Sequence, residues 1–160
     1  MAYHRHGITL FHPATLAATW FGAGLLPKAP GTWGSAAALP FAWVMMRFGG
    51  VWLVLAAVAV CFLVGWWASA VYVRHTGAED PSEVVIDEVA GQWLVLAACP
   101  LDPLAYGLGF ILFRVFDVWK PWPVGWADRH IGGGLGIMVD DILAALYGLI
   151  LILAAARIWP

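Results

Sequence analysis

Adjacent carboxylates stand at the mouths of two apolar runs. Asp87 and Glu88 open "VVIDEVAGQWLVLAA", and Asp140 and Asp141 open "GIMVDDILAALYGLILILAAA". A carboxylate entering apolar surroundings is costly unless it is paired or bound to a cation. A single acid in a helix's first turn is explained by the macrodipole. Two acids, twice over, exceed that need and point to a metal site. Hard oxygen donors suit Mg²⁺, which keeps several waters and bridges to phosphate oxygens.

Basic residues accompany these acids. In "FRVFDVWKPWPVGWADRHIGGGLGIMVDD", Arg114, Asp117, Lys120, Asp128, Arg129 and His130 alternate in sign. Arg114 and Asp117 have the i,i+3 spacing of a structural ion pair. The remaining cations can neutralise phosphate charge. Gly132, Gly133, Gly134 and Gly136 read as a flexible or tightly packed approach to a last helix that starts near Asp140.

Upstream, "GAGLLPKAPGTWGS" gathers four glycines, two prolines, Lys28, Thr32 and Ser35. Glycines let a backbone approach a ligand, and Ser35 could cap the helix that follows. A structured turn into an apolar helix explains the same stretch. In "EDPSEVVIDE", Glu79, Glu83 and Asp87 are spaced by four, so a helix with Pro81 in its first turn would align them on one face. A solvated face accounts for Glu79 and Asp80.

Several chemistries are excluded. The sequence has no Gly-Lys-Ser/Thr phosphate loop, no Asp-x-Asp nucleophile and no Cys-x5-Arg loop at Cys61 or Cys99. His4, His6, His12, His75 and His130 show no paired metal-ligand spacing. His130 is left as either a general acid or a solvated loop residue. The two cysteines read as buried thiols. The bottom-up reading is a Mg²⁺-dependent enzyme acting on a phosphate at a membrane surface. A metal can lower the pKa of an attacking water.

The elements that must position these groups are apolar. The 160 residues are 62% hydrophobic and 11% charged, with a net charge of −2. Ordinary soluble domains carry roughly 25% charged residues. One all-α, integral membrane domain over 1–160 is expected, and nothing in the charge suggests a nucleic-acid partner. The N-terminal stretch, broken by His12 and Pro13, does not read as a cleavable signal.

Val51–Val73 is the strongest span, and Ser35–Phe48 precedes it across a Gly49–Gly50 turn. Val89–Cys99 and Leu104–Phe113 are short and suit a second hairpin or a re-entrant pair. Ile142–Trp159 is the last span. Two hairpins would put Leu26–Ser35, Arg74–Glu88 and Arg114–Asp141 on one side. Arg47, Asp102 and Arg157 would then lie on the other. Arg5, Lys28, Arg74, Arg114, Lys120 and Arg129 fall on the motif side, which the positive-inside rule places in the cytoplasm. Trp119, Trp122 and Trp126 share that side, as an interfacial belt or as a seat for a lipid.

Three motifs in order, "PKAPGTWGS", "DPSEVVIDEVAGQ" and "FRVFDVWKPWPVGWADRHIGGGLGIMVDD", resemble the phosphatidylglycerophosphatase A family over about Gly22–Tyr147. One departure is Ala145, where the family pattern suggests glycine. The resemblance implies a polytopic enzyme of the bacterial inner membrane with its site at the cytoplasmic face. Its substrate would be phosphatidylglycerophosphate, hydrolysed with Mg²⁺ to phosphatidylglycerol and phosphate. The matching motif residues are Asp87, Glu88, Asp117, Lys120, Asp128, Asp140 and Asp141. We assign Asp87, Glu88, Asp140 and Asp141 to metal, and Asp117 or Asp128 to orienting the water or to metal. Arg114, Lys120 and Arg129 are assigned to phosphate, assisted by Lys28, Thr32 and Ser35. Gly91 and Gln92, one turn on, suit close packing and a polar contact beneath the site.

Water attack and a covalent aspartyl-phosphate both remain open. The alternative function is a CDP-alcohol phosphotransferase-like or other headgroup enzyme, although the Asp-Gly-x-x-Ala-Arg signature is absent. A transporter would place charges inside its spans, and these interiors are nearly charge-free. The sequence leaves the oligomeric state open.

Overall fold

The computed structural model describes residues 4–5 and 8–158, with side chains for 9–157. The side chains of His4 and Arg5, all of His6, and Trp159 of the expected last span lie outside them. A two-residue ladder, β1 (His4–Arg5) with β2 (Ile8–Thr9), opens the chain, and every later described element is helical. These are α1 (Pro13–Ala18), a 3-10 turn at Ala23–Leu25, α2 (Pro30–Thr76), α3 (Ile86–Leu96), α4 (Pro103–Trp119), α5 (Val124–His130) and α6 (Gly133–Ile158).

Local chemistry sets several boundaries. Pro13 and Pro103 each occupy a first helical turn, where a missing N–H costs nothing. His12 Nδ1 accepts from Ala14 N at 3.1 Å, and Asp102 Oδ1 accepts from Ala105 N at 3.0 Å, so each caps its helix. α2 ends on Gly77 in the left-handed region, its N–H donating to Val73 O.

α2 is two arms. Gly50 breaks it with φ 63° and ψ −165°, a conformation that only glycine adopts without strain. A Cβ on Gly34 would touch Val85, and one on Gly65 would touch Ile86. The two glycines therefore lie at one height, while Gly50, roughly 24 Å of helix away from each, lies at the other end. The chain goes out along 30–49 and returns along 51–76, with the Gly49–Gly50 turn where the sequence places it.

Two boundaries differ from expectation. α3 starts at Ile86, and 77–85 is irregular, so Glu79, Glu83 and Asp87 do not share a helical face and Pro81 starts no helix. Tertiary bonds hold this segment instead: Val85 N donates to Ala18 O at 2.8 Å. α6 starts at Gly133, not near Asp140. Gly134 presses on the main chain of Ala70 and Trp66, so close that an added Cβ would overlap it. Gly133, Gly134 and Gly136 are thus part of the helix rather than its approach, and Gly132 alone precedes it.

α3 is the centre of the bundle, flanked by α2, α4 and α6. Val89, Val95 and Leu96 are fully buried on it, and Trp93 Nε1 donates to Ala38 O across to the first arm at 2.9 Å. Ala145, the family departure, is fully buried among Val95, Phe113 and Val124, where its small side chain fills the space. α2 and α6 are long and apolar enough to cross a membrane. Their outer faces carry exposed apolar residues such as Trp52, Leu63 and Ile150.

Candidate active site

One end of the bundle holds a cavity of about 690 Å³, lined from the starts of α2, α3 and α6, the end of α4, α5, and the 77–85 loop. All three polar stretches of the sequence meet there.

Asp87 and Glu88 occupy the first turn of α3. Asp141 reaches them from the third turn of α6. Each of the three offers an oxygen, and these oxygens all lie within 4.8 Å of one another. Asp141 is 2% exposed and Asp87 8%. Because Asp140 and Asp141 lie well inside α6, the helix dipole does not explain them. Burial pushes the Asp87 carboxyl well above the usual range, and Glu88, Asp141 and Asp140 add to this by repulsion. Glu88 rises to about 7, chiefly through burial; its contact with Asp87 and the charge of Arg114 partly offset that rise.

The cluster fits a hard divalent cation. Asp87 Oδ1, Glu88 Oε2, Asp140 Oδ1 and Asp141 Oδ2 are buried and have no hydrogen-bond partner among the described residues. Buried carboxylate oxygens normally find a partner. Nearby cationic side chains serve them poorly: Arg114 pairs with Asp117 and stays 3.8 Å from Glu88 Oε1.

Asp140 departs from its expected company. It turns toward Lys120, whose Nζ donates to Asp140 Oδ2 at 2.7 Å and to Asp128 Oδ1 at 2.5 Å. Burial alone would lower the Lys120 pKa, but the bonds to Asp128 and Asp140 outweigh it and hold the ammonium above its ordinary value. The site thus has two halves: an acid triad, and a lysine bridging two aspartates. Asp117 stands between them. It is 8% exposed and paired with Arg114.

Arg129 and His130 line the open rim. His130 stacks on Trp126, ring centroids 5.1 Å apart. Trp119, Trp122 and Trp126 are all exposed.

The glycine-rich stretch contributes backbone. Ala29, Pro30 and Gly31 line the cavity, and a Cβ on Gly31 would run into the Glu88 carboxylate. Lys28 is exposed and Thr32 half-buried, neither on the cavity wall. Ser35 is no cap: α2 starts five residues earlier, and the Ser35 hydroxyl donates to Gly31 O at 2.9 Å. Sequence reasoning gave Glu79 and Asp80 to a solvated face and passed over Ser82, yet all three line the cavity from the loop. Their density of polar groups beside Pro81 was the available signal.

Comparison with known proteins matches residues 16–156 to the family model Phosphatidylglycerophosphatase A. A phosphatidylglycerophosphatase A of Escherichia coli K12 is 37% identical over 154 residues, covering 96% of this chain and 89% of that protein. One from Haemophilus influenzae is 40% identical over 148 residues, covering 92% and 91%. A candidate phosphatidylinositol-3-phosphatase of Bacteroides thetaiotaomicron is 38% identical over 148 residues, covering 88% and 91%. No solved structure matches the chain.

Proposed function

Since the chain belongs to the phosphatidylglycerophosphatase A family and is a phosphatase, we propose that it hydrolyses phosphatidylglycerophosphate to phosphatidylglycerol and inorganic phosphate with Mg²⁺. The carrying observation is the buried triad of Asp87, Glu88 and Asp141 with its unpartnered oxygens. Mg²⁺ bound there would supply phosphate charge neutralisation and a water of lowered pKa.

The chain's own groups do the rest. Asp87, Glu88 and Asp141 would hold the cation, with Asp140, paired with Lys120, supporting them. Arg114 and Arg129 take phosphate oxygens, and Lys120 joins them by exchanging its Asp128 bond for one to phosphate. Asp117, or Asp128 once released, accepts the proton of the attacking water and passes it to the departing glycerol oxygen as the P–O bond breaks. The exposed tryptophans and apolar helix faces keep the acyl chains in the bilayer while the headgroup enters the cavity. The basic residues at this end favour the cytoplasmic face of a bacterial inner membrane, with α2 and α6 crossing it.

Phosphate release from phosphatidylglycerophosphate micelles, with Mg²⁺ or with EDTA, tests this reading. Activity should vanish in EDTA and return with Mg²⁺. Asp141→Asn and Glu88→Gln should each lower kcat/KM by about 100-fold or more, roughly 2.7 kcal/mol of transition-state stabilisation. Full activity in EDTA would sink the metal role, and two active variants would sink the site. Phosphatidylinositol 3-phosphate, named in the Bacteroides relative, is the comparison substrate; preference for it would overturn the headgroup assignment.

A further inference from the structure

One polar side chain beneath the acid triad has no part in the chemistry above. Gln92 is 0% exposed, and neither its Oε1 nor its Nε2 has a hydrogen-bond partner among the described residues. A dry, unpaired carboxamide costs stability, so packing alone would favour an apolar residue here. Leu96, one turn deeper on the same face of α3, is such a residue and is fully buried.

Gln92 follows Glu88 by four residues and so lies directly below it. Helical side chains lean toward the N-terminus, over residue i−4. That lean would direct the Gln92 carboxamide toward Glu88, whose Oε2 is buried and unpartnered while its Oε1 lies 3.8 Å from Arg114. α3 has little freedom to shift at this height. A Cβ on Gly91 would meet the Phe113 ring at 2.6 Å and Asp141 O at 3.0 Å. Bringing the orphan donor and acceptor together would take rotation of the two side chains, not of the helix.

We propose that Gln92 is a positioning residue for the triad: its Nε2 donates to Glu88 Oε2 and fixes which oxygen Glu88 presents to a divalent cation shared with Asp87 and Asp141. This rests on the metal reading above. Ligating carboxylates are characteristically held by such bonds, and their loss weakens metal binding about 10–100-fold.

The test is Mn²⁺ binding, followed by electron paramagnetic resonance on the detergent-solubilised full chain without substrate. Gln92→Leu and Gln92→Met, close in volume, should each bind Mn²⁺ about 10–100-fold more weakly. Their thermal midpoints in EDTA should be unchanged or higher, since an unpaired buried amide has been removed. In a Glu88→Gln background, Gln92→Leu should cause no further loss of affinity. Wild-type Mn²⁺ affinity in both variants overturns the proposal. A midpoint in EDTA that falls with affinity assigns Gln92 to structure and overturns it equally. Absence of Mn²⁺ binding by the wild-type chain overturns the metal reading itself, and this proposal with it.

Discussion

Lys120 is the cation that balances the half of the site away from the triad. Replacing it with methionine keeps the stem but leaves Asp140, 5% exposed, without a cation. Breaking such a pair from one side costs more than the pair contributes, because the surviving charge stays buried. With Lys120 partly open to water, Lys120→Met should destabilise by about 1–3 kcal/mol. Thermal unfolding in detergent measures it. Asp140→Asn in the Lys120→Met background should recover part of the loss; strictly additive losses would mean the two side chains are uncoupled. The acids themselves were legible in sequence, because carboxylates beside apolar runs demand a partner. Their division was not. Asp140 and Asp141 are neighbours in sequence, yet successive helical residues point about 100° apart. Asp141 therefore faces α3 while Asp140 faces Lys120, and only the packing of α6 against its neighbours decides which faces which.

α6 owes its position to glycine at one contact. The Gly134 Cα lies against the main chain of Ala70, where a methyl group would overlap atoms that cannot swing aside. Gly134→Ala should therefore push α6 from α2 and destabilise by about 1–3 kcal/mol. Gly107, in the interior of α4, has nothing within 4 Å of an added Cβ. Gly107→Ala should stabilise by up to about 1 kcal/mol through helix propensity alone. Thermal midpoints moving in opposite directions check the pair; a stabilising Gly134→Ala would remove the close-approach explanation. The same contact shows why the start of α6 was hidden. Clustered glycines weaken a helix locally, so the sequence reads them as a break, while the compensating contact comes from a helix more than 60 residues away. α3 was misjudged for a similar reason: Pro81 offers a local helix start, but Val85 is already committed to Ala18 O. The Gly49–Gly50 turn depends on its own residues and was readable; the Asp102–Pro103 start of α4 rests on equally local chemistry, but the sequence reading began that run at Leu104.

The whole molecule is polar at one end and sparse in charge at the other. From the Asp102 cap to Arg114, α4 climbs about 18 Å, and from Asp141 to Arg157 α6 descends about 24 Å. Arg47, close to the Gly50 turn, belongs with Asp102 and Arg157 at the far end. A body of that height between two polar ends is of the order of the hydrocarbon core, about 30 Å. The orientation proposed from the basic residues then makes a direct prediction. Cys61 and Cys99 are both buried and should stay silent to a membrane-impermeant maleimide. Ser82→Cys, on the exposed loop at the cavity, should label only after the inner membrane is opened. Leu101→Cys, exposed beside the α4 cap, should label in cells whose outer membrane alone is permeable. Both variants retain the charges of the site, so phosphate release reports that each is folded. Labelling in the reverse order would place the cavity outside the cytoplasm, and labelling of both from one side would mean that the two ends do not face opposite compartments. Among the described residues only α2 and α6 have the length and composition of a span; α3 is buried among its neighbours, while α4 turns an apolar face outward through Leu104, Leu108, Ile111 and Val115. Asp87 and Glu88 then sit on a short, buried helix, and Asp141 reaches them from α6. That arrangement lets buried carboxylates persist beside a bilayer: protein surrounds them on the sides, and the cavity gives them a route to water and to a charged headgroup.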